Sequence, residues 1–187
     1  LLPPRWSEPY VMTVSFGHGL AATPLHLAAA YATLTNGGLK VEPTLRRDPD
    51  PPGEAARAIS ADTSRKLREM LRLAVAEGTG GGADVPGYMV GGKTGTAEKT
   101  KPGGGYDSER VLATFAGVFP ANDPEYVLVV TLDEGEVFAH GRTWRTAGWT
   151  AAPLAGETIR RIAPILGLRP VPRLDPEQAP ATIPVRN

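Results

Sequence analysis

One octet, Gly91-Gly92-Lys93-Thr94-Gly95-Thr96-Ala97-Glu98, constrains this 187-residue chain more than any other stretch. Two backbone arrangements compete for it. Gly87 to Thr94 satisfies G-x-x-x-x-G-K-T, the pattern of a loop that cradles phosphate. Such a loop needs a buried strand before it and a helix opening at the Lys-Thr pair. Ala83-Asp84-Val85-Pro86 precedes the pattern, and Gly95 then Lys99-Thr100-Lys101-Pro102 with three glycines follows it, so neither requirement is met. Nucleotide binding remains the weaker alternative. The other arrangement is a strand. Side chains alternate along a strand, which puts Thr94 and Thr96 on one face and Lys93 and Gly95 on the other.

A Lys-Thr-Gly strand suits the wall of an acyl-transfer site. A lysine ammonium supplies long-range attraction for a carboxylate, and two hydroxyls supply short directed hydrogen bonds. Gly95 removes a Cβ where another element would have to come close. An edge strand also offers backbone N–H and C=O groups to an extended peptide, and one N–H can face a developing oxyanion. The alternative without chemistry is a glycine-rich edge strand, its threonines chosen for β-propensity.

The surroundings predict an α+β domain. Thr23-Pro24 starts a helix that runs to Leu34 and stops at Asn36-Gly37-Gly38. Being apolar almost all round, it is expected to be buried. A second, amphipathic helix starts near Ser60 or Asp62 and ends at Gly78, where the glycine-rich loop GTGGGA follows. Strands are expected over Tyr88–Glu98, Val111–Phe119 and Tyr126–Leu132, with connections of about twelve and six residues, too short for a crossover helix. They should pair antiparallel. A last helix is expected over about Thr146–Leu166, with Pro153 in its first turns or at a kink and Gly167 closing it. Residues 40–57 look like a surface connection. The proline-rich stretch 168–187 looks like a disordered tail after a domain spanning 1–167.

Charge and composition narrow the function. Twenty Lys plus Arg balance 20 Asp plus Glu, which gives no reason to expect nucleic acid. The chain has no cysteine, hence no disulfide framework, thiolate metal site or thiol nucleophile. Its three histidines, His18, His26 and His140, are too far apart for a metal motif, and no cofactor is expected.

Read in order, several stretches resemble class B penicillin-binding proteins. They are Ser15-Phe16-Gly17-His18-Gly19, Thr23-Pro24-Leu25, Ala30-Tyr31-Ala32, Asn36-Gly37-Gly38, Glu77-Gly78-Thr79-Gly80 and the octet itself. Gly104-Gly105-Tyr106-Asp107, Phe115 to Ala121 and Thr146-Ala147-Gly148-Trp149 continue the series. Order and spacing are similar to those of the septal, cell-division peptidoglycan transpeptidases over roughly residues 1 to 167.

The resemblance implies the penicillin-recognising serine-transferase fold, and cross-linking of stem peptides ending in D-Ala-D-Ala in septal wall synthesis. It also implies acylation by β-lactams, divisome membrane proteins as partners, and an inner-membrane-anchored parent with this domain in the periplasm. The roles it implies are Thr96 giving its backbone N–H to the oxyanion, the Thr94 and Thr96 hydroxyls holding the carboxylate, and Lys93 attracting it. Tyr106, placed in the loop between the first two strands, either walls the acceptor groove or covers apolar surface. Trp144 and Trp149 read as packing residues, with Arg142 and Arg145 solvated beside them.

The departure is as informative. Such enzymes need S-x-x-K and S-x-N ahead of Lys-Thr-Gly. None of the five serines (Ser7, Ser15, Ser60, Ser64, Ser108) begins either motif. The expectation is a C-terminal fragment of a transpeptidase domain, without its nucleophile and inactive alone. A non-catalytic β-lactam-sensing or scaffold relative is the alternative.

Overall fold

The computed structural model describes residues 6–15, 19–46 and 56–171. Most of the expected proline-rich tail and the middle of the 40–57 connection lie outside the described residues. Among the described residues, four helices, α1 (Glu8–Val14), α2 (Pro24–Thr35), α3 (Ala61–Ala76) and α4 (Ala151–Ile162), accompany a three-stranded antiparallel sheet. Its strands, β1 (Gly91–Thr100), β2 (Tyr106–Phe119) and β3 (Tyr126–Asp133), lie in the order β1-β2-β3. A small hairpin of β4 (Val137–Ala139) and β5 (Arg142–Trp144) precedes α4. The class is α+β, as the sequence implied.

Capping chemistry sets the helix starts. Thr23 accepts a hydrogen bond from the His26 N–H while the His26 ring turns back to Thr23, a capping box with Pro24 at the first position. Ser60 caps α3 by accepting from the Thr63 N–H at 3.0 Å. Ser64, fully buried, donates to the Leu34 carbonyl at 2.7 Å and accepts from the Gly37 N–H at 3.0 Å, so one hydroxyl ties α3 to the end of α2.

One face of the sheet carries Ala113, Phe115 and Phe119 of β2 with Leu128, Val130 and Leu132 of β3. It packs on Ala151, Ala155 and Ile159 of α4. Phe115 and Ile159 are fully buried, and each such side chain contributes about 1.5–3 kcal/mol of transfer free energy. The small residues of α4 let its axis come close to the sheet. Helix α2 makes contacts with β2, β3 and α3.

Four expectations change. Helix α2 is half-buried rather than buried: its sheet-facing side is covered, but Leu25 is 62% exposed because nothing among the described residues lies over the opposite side. The β1–β2 connection is five residues, 101–105, so Tyr106 begins β2 opposite Thr100 instead of sitting in a loop. A register shift between Glu98 and Lys99 lets the hairpin extend further than polarity suggested. The last helix spans only Ala151–Ile162, because Thr146–Thr150 fold into a separate turn, and Pro153 falls in the first turn where a missing N–H costs nothing. Finally, Leu168 packs against the core and the Val171 N–H bonds the Gly87 carbonyl at 2.9 Å, so the described start of the proline-rich stretch is docked on the domain.

The extended hairpin is tied down by charge. Lys99 pairs with Asp133 and with Glu134, and Arg110 adds a second cation to Glu134 at 2.9 Å. The Asp133 and Glu134 carboxylates hold the Lys99 ammonium above its usual range, while Lys99 and then Arg110 hold Glu134 below the usual carboxylate range. The lowered carboxylate contributes only above its ordinary value and loses that contribution as pH falls through the lowered one. The raised ammonium contributes below its ordinary value and loses it as pH rises through the raised one. The protection factors of the amides of residues 99–107, corrected for the intrinsic pH dependence of exchange, should therefore be highest in the window between the two ordinary values, and should fall on either side and with added salt.

Trp6, Val11, Met12, Leu25, Met70 and Leu73 are all exposed large apolar residues. A chain with this much uncovered apolar surface should self-associate. Sedimentation velocity of the isolated chain should show species larger than monomer; a single monomeric boundary would contradict this.

Candidate substrate edge on β1

Strand β1 is the outer strand of its sheet, so half of its backbone hydrogen-bonding groups have no strand partner among the described residues. Which half follows from β2. The Val111 carbonyl accepts from the Glu134 N–H at 2.9 Å, so Val111 turns toward the β3 side. Alternation then turns Leu112, Thr114 and Ala116 toward β1, where they face Ala97, Gly95 and Lys93. Thr94 and Thr96 are left with N–H and C=O pointing out from the free edge. The Lys93 side chain confirms the phase, since its Nζ donates to the outward Thr94 carbonyl at 2.9 Å.

The two threonine side chains share the face that carries Phe115 and Ala113, as alternation requires. Each meets a group from another element. Thr94 Oγ1 lies 2.6 Å from the Thr79 hydroxyl, and Thr96 Oγ1 accepts from the Ala147 N–H at 3.0 Å. Lys93 and Gly95 face the other way. A Cβ built on Gly95 would meet nothing within 4 Å, so the space the sequence reserved for a neighbouring element is open among the described residues. Lys93, Gly95 and Thr96 are exposed and Thr94 is half-buried.

The path to this edge is held by a half-buried ion pair. Arg72 of α3 makes two hydrogen bonds to the Asp84 carboxylate, at 2.8 and 3.2 Å, and a third to the Val90 carbonyl at 2.6 Å. A bidentate pair of this kind fixes direction as well as distance. It anchors the residue just before β1 to the helix behind it. No helix opens at Lys93-Thr94: both lie inside a strand, which removes the geometry a phosphate loop requires.

Beside the edge, the turn that supplies Ala147 follows the β4–β5 hairpin. Trp144 and Trp149 stack at 4.3 Å between ring centroids, and His140 meets Trp149 edge-on at 5.5 Å. The Arg142 guanidinium covers Trp144 at 3.4 Å, and Arg145 pairs with Glu136 at 3.1 Å. The tryptophans are packing residues, as read, but the two arginines are engaged rather than merely solvated. Tyr106 sits at the far end of the hairpin and is half-exposed. His18 lies outside the described residues.

The sequence reading brought Lys93, Thr94, Gly95 and Thr96 together correctly along one strand and missed Thr79 and Ala147. The available signal was Gly78-Thr79-Gly80 following an amphipathic helix, a hydroxyl flanked by residues that permit close backbone approach.

Comparison with known proteins supports the same fold. The model for the penicillin-binding protein transpeptidase domain matches residues 1–157. The chain belongs to this family. Among curated relatives, the probable peptidoglycan D,D-transpeptidase FtsI of Caulobacter vibrioides is 42% identical over 180 residues, covering 90% of this chain and 30% of the relative. The peptidoglycan D,D-transpeptidase FtsI of Escherichia coli is 34% identical, covering 89% and 27%. The chain thus spans about 30% or less of these relatives' length.

Among solved structures, the transpeptidase domain of penicillin-binding protein 3 from Burkholderia pseudomallei superposes with a TM-score of 0.79 at 32% identity. It is covered over 50% of its chain by 91% of this one. Penicillin-binding protein 3 of Mycobacterium tuberculosis, complexed with ampicillin, gives 0.74 at 32% identity, with 94% and 42% covered. The sheet and helices described here are therefore part of a penicillin-binding protein transpeptidase domain.

Proposed function

We propose that this chain supplies the carboxylate-binding and oxyanion strand of a serine D,D-transpeptidase that cross-links peptidoglycan stem peptides ending in D-Ala-D-Ala. The observation that carries the proposal is the outward phase of Thr94 and Thr96 on a free sheet edge, with Lys93 beside them. An extended peptide laid along this edge finds backbone partners at every second residue. Its terminal carboxylate meets the two threonine hydroxyls, with the Lys93 ammonium adding a charge-assisted pull. The Thr96 N–H points to where the carbonyl oxygen of the scissile bond gathers charge, and one such donor is worth about 3 kcal/mol in the transition state. Gly95 leaves room for the segment that brings the serine.

The attacking serine and its base come from S-x-x-K and S-x-N segments that this sequence does not contain. Acyl transfer is then a property of the longer protein, in which the serine hydroxyl adds to the D-Ala-D-Ala carbonyl, expels D-alanine and passes the acyl group to an amine of a second stem peptide. β-Lactams occupy the same edge, with their carboxylate on the threonines. The resemblance of the sequence to septal transpeptidases favours an inner-membrane-anchored parent with this domain in the periplasm, beside the membrane proteins of the division machinery. No helix among the described residues is long and apolar enough to cross a membrane.

In the longer protein, Lys93→Ala should lower the second-order rate of acylation by fluorescent penicillin by tenfold or more, on the order of the value of a charge-assisted hydrogen bond. Unchanged kinetics would remove Lys93 from the site. The chain of 187 residues alone should remain unlabelled on denaturing gels under the same conditions. A stable adduct on any of its five serines would contradict the assignment of the nucleophile to another segment.

A further inference from the structure

We propose that Thr79 is a positioning residue for the anion site, its hydroxyl donating to Thr94 so that the Thr94 proton is committed to the incoming carboxylate. The inference rests on the carboxylate reading of β1 given above. Thr79 lies outside the strand, in the turn after α3, and its Oγ1 is 2.6 Å from Thr94 Oγ1. Each hydroxyl has one proton to give and can accept besides. An ionised carboxylate only accepts, so Thr94 must donate outward when an anion is bound, and Thr79 is then the donor within the pair.

Thr96 shows the same arrangement with its direction already fixed. A backbone N–H can only donate, so the bond from Ala147 at 3.0 Å makes Thr96 Oγ1 the acceptor and leaves its own proton for the anion. Both hydroxyls of the strand are thus backed by a donor from a different turn. Hydrogen bonds in series polarise one another, which strengthens the outer bond to a charged ligand.

The backbone holds Thr79 at this place. Its turn is locked against the other one: a Cβ on Gly148 would come within 2.9 Å of the Thr79 carbonyl. Three residues further along the same loop, Gly82 lies so close to α4 that a Cβ there would meet Pro153 at 2.8 Å, and a Cβ on Gly156 would meet the Gly82 carbonyl at 2.6 Å. The GTGGGA loop is therefore shaped to bring one hydroxyl to the strand.

The test uses the longer protein that carries the S-x-x-K serine, with benzylpenicillin and its methyl ester as acylating agents. Thr79→Val should slow acylation by benzylpenicillin about tenfold, the value of one hydrogen bond to a group that binds charge, and slow the ester less than about twofold. Thr79→Ser should stay within about twofold of the parent with both agents. Thr79→Ala, run in parallel, should show the same discrimination as Thr79→Val, which separates loss of the hydroxyl from a packing fault. In a Thr94→Val background, Thr79→Val should cost little more. An equal loss with both agents, no loss with benzylpenicillin, or a fully additive loss in the Thr94→Val background would each overturn the proposal. A Thr94→Val variant that keeps the parent's preference for benzylpenicillin over the ester would instead overturn the carboxylate reading itself.

Discussion

An antiparallel strand can turn only alternate residues toward any one neighbour, and the phase of β1 decides everything that its edge can do. That phase is inherited from β2, whose Val111 carbonyl is taken by Glu134 on the far side. Shifted by one residue, Lys93 and Gly95 would face outward and the threonine backbone would be spent inside the sheet. The register instead leaves hydroxyl-bearing residues at the margin with their amides unspent. The half-buried Arg72–Asp84 pair holds this in place by fixing the residue before β1 to α3.

Around that edge, two turns from distant parts of the sequence converge. One follows α3 and carries Thr79; the other precedes α4 and carries Ala147. Neither would be ordered alone, since each is short and rich in small residues. They order each other by backbone contact and are pressed on the sheet through α4, whose alanines admit the close approach. Burial of Phe115 and Ile159 thus supports the polar margin, Phe115 lying directly across from Thr94.

Much of this was legible in the sequence where local chemistry decides the outcome. Thr23-Pro24 and Ser60 named their helix starts because capping needs a specific side chain at a specific place. The three strands followed from apolar runs bounded by turns, and Lys93 to Thr96 followed from strand alternation. Where tertiary surroundings decide, the sequence was silent or misleading. The apolar helix α2 suggested burial, but burial requires a partner surface, and among the described residues only one side of α2 has one. Thr146–Thr150 look helical by pattern, yet they fold as a turn whose Ala147 amide serves Thr96. Tyr106 entered a strand because a register shift, invisible in composition, prolonged the hairpin. Thr79 was hidden for a similar reason: a threonine in a glycine-rich loop acquires meaning only from what lies across from it.

The contacts of Gly82, Gly148 and Gly156 carry one more consequence. Where main chain rests directly on main chain, no rotamer can swing aside to absorb a displacement. A slide of α4 along the sheet would be handed on without slack to the loop bearing Thr79. Solvent-facing positions of that helix, Leu154 among them, are in this sense gears of a strand edge they never touch.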